Sequence, residues 1–380
     1  MDPVTVNAYR AAARRRLPRL IFDYVDGGAN DERTLAANVA DFAAVTLRQR
    51  VMVDCSGPEL STQLFGQTLS MPLLLAPIGM GGMLARRGEV QAARAAEAEG
   101  VPFCQSTMSV CSLKEVADAV KAPPWFQLYM VKDRGRMAAM LDQAQALGAP
   151  PLIFTVDLPI GGLRHRDVRS GFSSEPSLGR SLQRMIDGVT HPQWVWDLFV
   201  NGQPHSLGNF QGVQTDGKGL AGYWNWIRDN FDPATQWSDL AWVRDHWKGP
   251  IILKGVLDPE DAELAVQHGA DGIIVSNHGG RQLDSVTSGI AALPRVAERV
   301  DGRMAVLMDG GVRSGLDILK AVALGADACL IGRAWAYALA AQGETGVRNM
   351  LQTLRKELTI AMALTGCKDI AKADRSLLEE

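Results

Sequence analysis

From residue 72 onward the chain alternates short apolar runs with stretches of helical period. The runs are PLLLAPIG (72–79), PFCQST (102–107), WFQLYM (125–130), PLIFTVD (151–157), PIILKG (250–255), GIIVSNHG (272–279), AVLMDGG (305–311) and ACLIGR (328–333). Each is apolar almost throughout rather than at every second position, the pattern of strands covered on both faces of a parallel sheet. Helical segments separate them, among them 88–100, 112–120, 133–148, 258–269 and 314–325. Ser112 and Asp258 stand where an N-cap belongs, and Gly100, Gly148, Gly269 and Gly325 where a helix closes on glycine. Eight such units predict an α/β fold of the (β/α)8 TIM-barrel type. An open doubly wound sheet would more often carry an early GxGxxG, which this chain lacks.

Two regions break the alternation. Residues 1–71 read as an N-terminal helical cap, leading into a barrel over 72–366 and a tail over 367–380, all in one domain. The connection 158–236 after the fourth strand is far longer than a usual βα loop. It carries Trp194, Trp196, Trp224 and Trp226, too many large aromatics for a disordered linker. Its stretch QWVWDLFV (193–200) holds six apolar side chains and one charge, Asp197. Such a stretch suits a membrane interface, and equally a lid packed over the barrel mouth. With seven acidic and seven basic residues in 158–236, charge does not decide between them.

Composition narrows the class. A net charge of -3 gives no global attraction for nucleic acid. The five cysteines form no CxxC pair, which suits a reducing compartment, and no metal site is expected. The basic N-terminus lacks an apolar core after it, so it is no secretory signal, and no run reaches the ~18 apolar residues of a membrane span. The expected location is the cytoplasm, with peripheral attachment to the inner face of the cell membrane as the further possibility.

Chemistry gathers at the strand ends, where TIM-barrel enzymes place their sites. The seventh strand runs into Asp309-Gly310-Gly311-Val312-Arg313, and the eighth ends at Gly332-Arg333. Glycines open the backbone to an anion, and the two arginines supply charge. The sixth strand ends in Ser276-Asn277-His278-Gly279-Gly280-Arg281: a potential base beside a residue able to clamp a carboxylate. Lys254 ends the fifth strand after three apolar residues, a costly place for a cation without an anionic or electron-rich partner. Asp157, ending the fourth, could orient a histidine. Gln127, Tyr129 and Ser106 add polar groups at the ends of the third and second strands.

The set FDYVDGGA (22–29), APIG (76–79), FQLY (126–129), FTVD (154–157), LRHRD (163–167), LKG (253–255), SNHGGRQLD (276–284) and DGGVRSG (309–315) resembles the flavin mononucleotide (FMN)-dependent family that oxidises L-2-hydroxy acids. The likeness covers nearly the whole chain and is strongest to the bacterial respiratory branch that acts on L-lactate. It implies His278 as the base for the substrate hydroxyl, Asp157 behind it, and Arg281 and Arg164 on the carboxylate with the hydroxyls of Tyr24 and Tyr129. It implies Lys254 beside the flavin N1/C2 carbonyl edge, and Ser106, Gln127, Thr155 and Ser276 on the isoalloxazine or ribityl groups. Pro77, Ile78 and Gly79 would pass the reactive N5. Asp309, Gly310, Gly311, Arg313, Gly332 and Arg333 would hold ribityl and phosphate. A quinone or other respiratory electron acceptor and a homo-oligomer, tetrameric in the family, are implied as well.

The resemblance leaves mandelate dehydrogenase or hydroxy acid oxidase activity as alternatives within the family. Outside it stand another phosphate-cradling enzyme on the same barrel and a catalytically inactive, membrane-associated barrel scaffold. The first gives no reason for His278, Arg281 and Lys254 together. The second is disfavoured because every expected site residue is present. On the anchor reading, replacing 180–230 with a short Gly/Ser linker releases the protein from the membrane and leaves FMN bound.

Overall fold

A computed structural model describes residues 2–172, 185–201, 207–210 and 229–379. All eight apolar runs form strands: β3 (Leu73–Leu75), β4 (Cys104–Ser106), β5 (Trp125–Tyr129), β6 (Leu152–Thr155), β7 (Ile251–Val256), β8 (Gly272–Val275), β9 (Ala305–Asp309) and β10 (Ala328–Ile331). Each pairs in parallel with its neighbour, and β10 returns to β3. A bridge from Leu75 to Phe103 closes the ring between β3 and β4. The TIM barrel read from the sequence is the architecture of the chain.

Alternation along each strand sorts the side chains. Leu74, Cys104, Ile153, Ile252, Ile274, Leu307 and Leu330 point inward and pack as one dry cluster. Their neighbours Leu73, Phe126, Phe154, Leu253 and Ile273 join the larger core outside the ring. Ser112 and Asp258 accept from backbone amides as N-caps. Gly100, Gly148, Gly269 and Gly325 all have positive φ, which an L side chain there would resist.

The N-terminal region departs from an all-helical cap. Three helices are present: α1 (Val6–Arg16), α2 (Arg19–Asp26) and α3 (Arg33–Ala44). A hairpin follows, β1 (Thr62–Leu64) against β2 (Gln67–Leu69). Its Leu64 and Leu69 join the inner barrel cluster. Trp125 Nε1 donates to Gln67 Oε1 at 3.0 Å, and Phe65 meets the Trp125 ring edge-on at 5.9 Å. The hairpin therefore plugs the end of the barrel opposite the strand C-termini. The C-terminal tail pairs back on this region, with Glu379 N donating to the Thr46 carbonyl.

Between β6 and β7 the connection contains α4 (His165–Ser170), a short helical stretch over Pro192–Val200, a turn over Gly208–Phe210 and a helix at Asp239–His246. Trp224 and Trp226 lie outside the described residues. In the 193–200 stretch Trp194 and Leu198 are buried, while Trp196, Phe199 and Val200 are exposed, as are Ile186 and Val189 before them. One side is thus docked, and the other keeps large apolar side chains partly exposed. Among the described residues no helix is long and apolar enough to cross a membrane.

Candidate active site

A cavity of about 1220 Å³ opens at the C-terminal ends of the strands. Tyr24, Pro77, Ile78, Gly79, Tyr129, Thr155, Arg164, Lys254, His278, Arg281, Asp309, Gly310, Gly311, Arg313, Gly332 and Arg333 all line it. These are most of the residues expected from the sequence, drawn from α2, seven strand ends and the long connection. Ser106, Gln127 and Ser276 are buried just behind the wall. They act through hydrogen bonds instead: Ser106 Oγ donates to Gln127 Oε1 and Gln127 Nε2 to Thr155 Oγ1, each at 3.0 Å.

His278 begins a run of three positive-φ residues with Gly279 and Gly280. This left-handed turn directs its ring into the cavity, and Ser276 Oγ accepts from the His278 amide at 3.0 Å. His278 Nδ1 lies 2.9 Å from Asp157 Oδ1. Burial would raise the Asp157 pKa, but the nearby His278 and Lys254 outweigh it and hold the carboxyl below its usual value. An ionised Asp157 fixes the tautomer with the proton on Nδ1, so Nε2 is the basic atom. Gly255 lets β7 pass close by, because a Cβ there would meet the Asp157 carboxyl group.

Lys254 is almost fully buried, with Nζ 2.9 Å from both Asp309 Oδ2 and Ser276 Oγ. Burial opposes its charge, yet Asp309 and Asp157 raise its pKa above the usual lysine value. A fixed positive charge, paired with Asp309, therefore lies in the cavity lining. Arg281 is set by carbonyls: its Nη1 donates to Tyr24 O at 2.6 Å and Gly27 O at 2.9 Å, and its guanidinium stacks 4.9 Å over the Tyr24 ring. Arg164 Nε donates to Asp167 Oδ2 at 2.7 Å. Burial raises the pKa values of Tyr24 and Tyr129, so both hydroxyls keep their protons as donors. A proton acceptor, two guanidinium groups and two phenols around one space suit a small hydroxy acid anion.

Sequence reasoning missed several wall residues. Phe231 packs against Tyr129 with ring centroids 5.4 Å apart, and Phe172 stacks on Tyr24 at 4.7 Å. Both come from the long connection, whose pattern carries no cue that it returns to the mouth. Met108 was also missed, although it adjoins Ser106. Asp167 stood in the LRHRD phrase, but its hold on Arg164 is visible only in the fold.

A family model for FMN-dependent dehydrogenases matches residues 13–380. An L-lactate dehydrogenase of Pectobacterium atrosepticum is 55% identical over 363 residues, 96% of this chain and 93% of that protein. Another, from Caulobacter sp., is 55% identical over 97% of both chains. Among solved structures, the monotopic membrane protein (S)-mandelate dehydrogenase superposes with a TM-score of 0.93 at 36% identity, covering 100% of both chains.

The cavity's own groups fit FMN. Gly310 and Gly311 have φ of +89° and +94°, and a Cβ on Gly311 would overlap the Asn38 carbonyl oxygen. The missing side chains let this turn pack tightly on Asn38 while its backbone lines the cavity, where its amides can meet a phosphate. Arg313 and Arg333 line the same end, and burial pushes both guanidinium groups below their usual pKa, the mark of cations short of an anionic partner. Asp309 Oδ1 is buried without a hydrogen-bond partner and can accept from a ribityl hydroxyl. With the whole barrel matched and the cofactor's donors in place, the chain belongs to the FMN-dependent dehydrogenase family.

Proposed function

We propose that this chain oxidises L-lactate to pyruvate and passes the electrons through FMN to a quinone or other respiratory acceptor. The observation that carries the reading is the His278–Asp157 pair at a cavity that Arg281 and Arg164 also line. The relatives above 50% identity, named L-lactate dehydrogenases, support lactate over mandelate.

Arg281 and Arg164 hold the substrate carboxylate, and the Tyr24 and Tyr129 hydroxyls donate to its oxygens. His278 Nε2 takes the proton from the C2 hydroxyl, and Asp157 stabilises the imidazolium that results. Bound FMN supplies the acceptor for the hydrogen and electron pair that leave C2. Lys254 places its charge where negative charge collects on reduction. Ser106, Gln127, Thr155 and Ser276 keep that end of the cavity polar. Pro77–Gly79 forms its wall, and Asp309–Gly311, Arg313, Gly332 and Arg333 receive ribityl and phosphate.

The exposed apolar side of the 185–200 segment, together with the likeness to a monotopic membrane dehydrogenase, supports peripheral seating on the cytoplasmic membrane face.

Anaerobic mixing with L-lactate tests the core of this reading. The yellow protein bleaches with lactate faster than with mandelate or glycolate. His278→Gln keeps FMN but slows bleaching by about 10²–10⁴-fold, the usual range for losing a general base. Near-normal bleaching in that variant removes His278 from the chemistry, and preference for mandelate moves the substrate to the other branch.

A further inference from the structure

The long connection returns to the barrel at a place that lines no part of the cavity. Leu207 and Phe210 are buried there, and Gly208 sits so close that a Cβ would collide with the Ser112 backbone. Between them Asn209 uses both ends of its amide. Its Oδ1 accepts from Leu113 N at 2.8 Å, and its Nδ2 donates to Ser106 O at 3.2 Å and Thr107 O at 3.3 Å. Gly208 N adds a bond to Ser109 O at 3.0 Å. One side chain thus holds both ends of the turn that follows β4.

That turn reaches the cavity. Met108 N donates to Ser106 Oγ at 3.1 Å, and the Met108 carbonyl accepts from Met80 N at 2.9 Å. Gly79, next to Met80, has its carbonyl 3.3 Å from the Tyr24 hydroxyl. Met108 and Gly79 both line the cavity. A second clip comes from the same connection: Trp194 Nε1 donates to Met83 O at 2.8 Å, on the turn after β3. The connection therefore grips the two adjacent turns that wall this side.

We propose that Asn209 is a positioning residue for the FMN cavity, setting the Ser106–Met108 turn and, through Met80, the Gly79 backbone. A linker replacing 180–230 would remove both clips, so FMN binding is expected to weaken in that variant as well. The inference rests on membership of the FMN family and is independent of which hydroxy acid is oxidised.

Asn209→Asp separates positioning from mere stability. It retains an acceptor for Leu113 N but turns oxygen toward two carbonyls that need a donor. In purified holoenzyme, FMN release on dilution, read by flavin fluorescence, rises about tenfold in dissociation constant. The visible bands of the bound flavin also shift, in Asn209→Asp no less than in Asn209→Ala. Unchanged release and spectrum in both variants, with only a lower Tm, reduce Asn209 to a structural clip and overturn the proposal. If neither variant folds, hydrogen exchange of the unmodified protein decides. FMN binding slows the amides of 207–210 although none touches the cavity, and equal exchange with and without FMN overturns it.

Discussion

Arg281 shows how one side chain is prepared for a carboxylate. Two backbone carbonyls fix its Nη1 and the Tyr24 ring fixes its plane, so little rotamer freedom remains to lose on binding. Burial, and then the neighbouring Arg164, push its pKa down to about 10. The folded chain therefore holds this proton less tightly than the unfolded chain does, and its charge at neutral pH is a cost that a bound anion relieves. As pH rises through about 10 the free enzyme loses the proton, while the substrate complex retains it. The expected outcome is a KM that climbs above that pH while kcat persists, because Tyr24 and Tyr129 are both shifted upward and do not titrate first. A KM profile that stays flat to pH 11 shows that Arg281 keeps its proton there and contradicts the downward shift.

Between elements, the N-terminal helices are tied to the barrel by one carboxylate. Asp26 ends α2 with a nearly inaccessible side chain. It receives Arg10 of α1 at 2.8 Å, Arg166 of α4 at 2.6 Å and the Tyr337 hydroxyl of the last long helix at 2.7 Å. Burial alone would raise its pKa, but Arg10, Tyr337 and Arg166 hold it well below the carboxylate range. This stabilisation is complete above the unfolded value of about 4 and is lost as pH falls below it. Asp26→Asn is expected to cost roughly 3 kcal/mol in urea unfolding at pH 7, as for a broken buried pair. The gap to the unmodified protein narrows toward pH 3, and a gap independent of pH contradicts the assignment. None of these partners was legible in the sequence, since they lie up to 311 positions apart. The eight strands were legible because burial on both faces leaves an unbroken apolar run. The β1–β2 hairpin was not. Its strands have three residues each, and its turn is Phe65-Gly66 with both φ positive, +48° and +75°, where Asn-Gly is the usual cue. The strand-end residues of the site were readable from position in the barrel. Phe172, Phe231 and Asn209 were not, because only the folded path of the long connection brings them back.

Over the whole molecule, the net charge of -3 gives no overall pull toward an anionic surface, so the proposed membrane seating would draw chiefly on apolar area. Val189, Trp196 and Phe199 are exposed, while Trp194 and Leu198 of the same segment hold the docked side. Fully burying a large side chain is worth about 1.5–3 kcal/mol, so these partly exposed ones contribute to reversible seating at a bilayer. Replacing Val189, Trp196 and Phe199 by serine should move the protein from the membrane pellet to the supernatant with its FMN content intact. Recovery of the unmodified protein in the supernatant ends the membrane reading. The hairpin at the opposite end governs traffic. With Leu64, Leu69 and Trp125 packed across the barrel floor, substrate and product reach the cavity from the strand C-terminal side and not through the floor. The expected outcome is a cycle in two alternating halves, the keto acid leaving before the electron acceptor enters, read as parallel lines in double-reciprocal plots; intersecting lines contradict it.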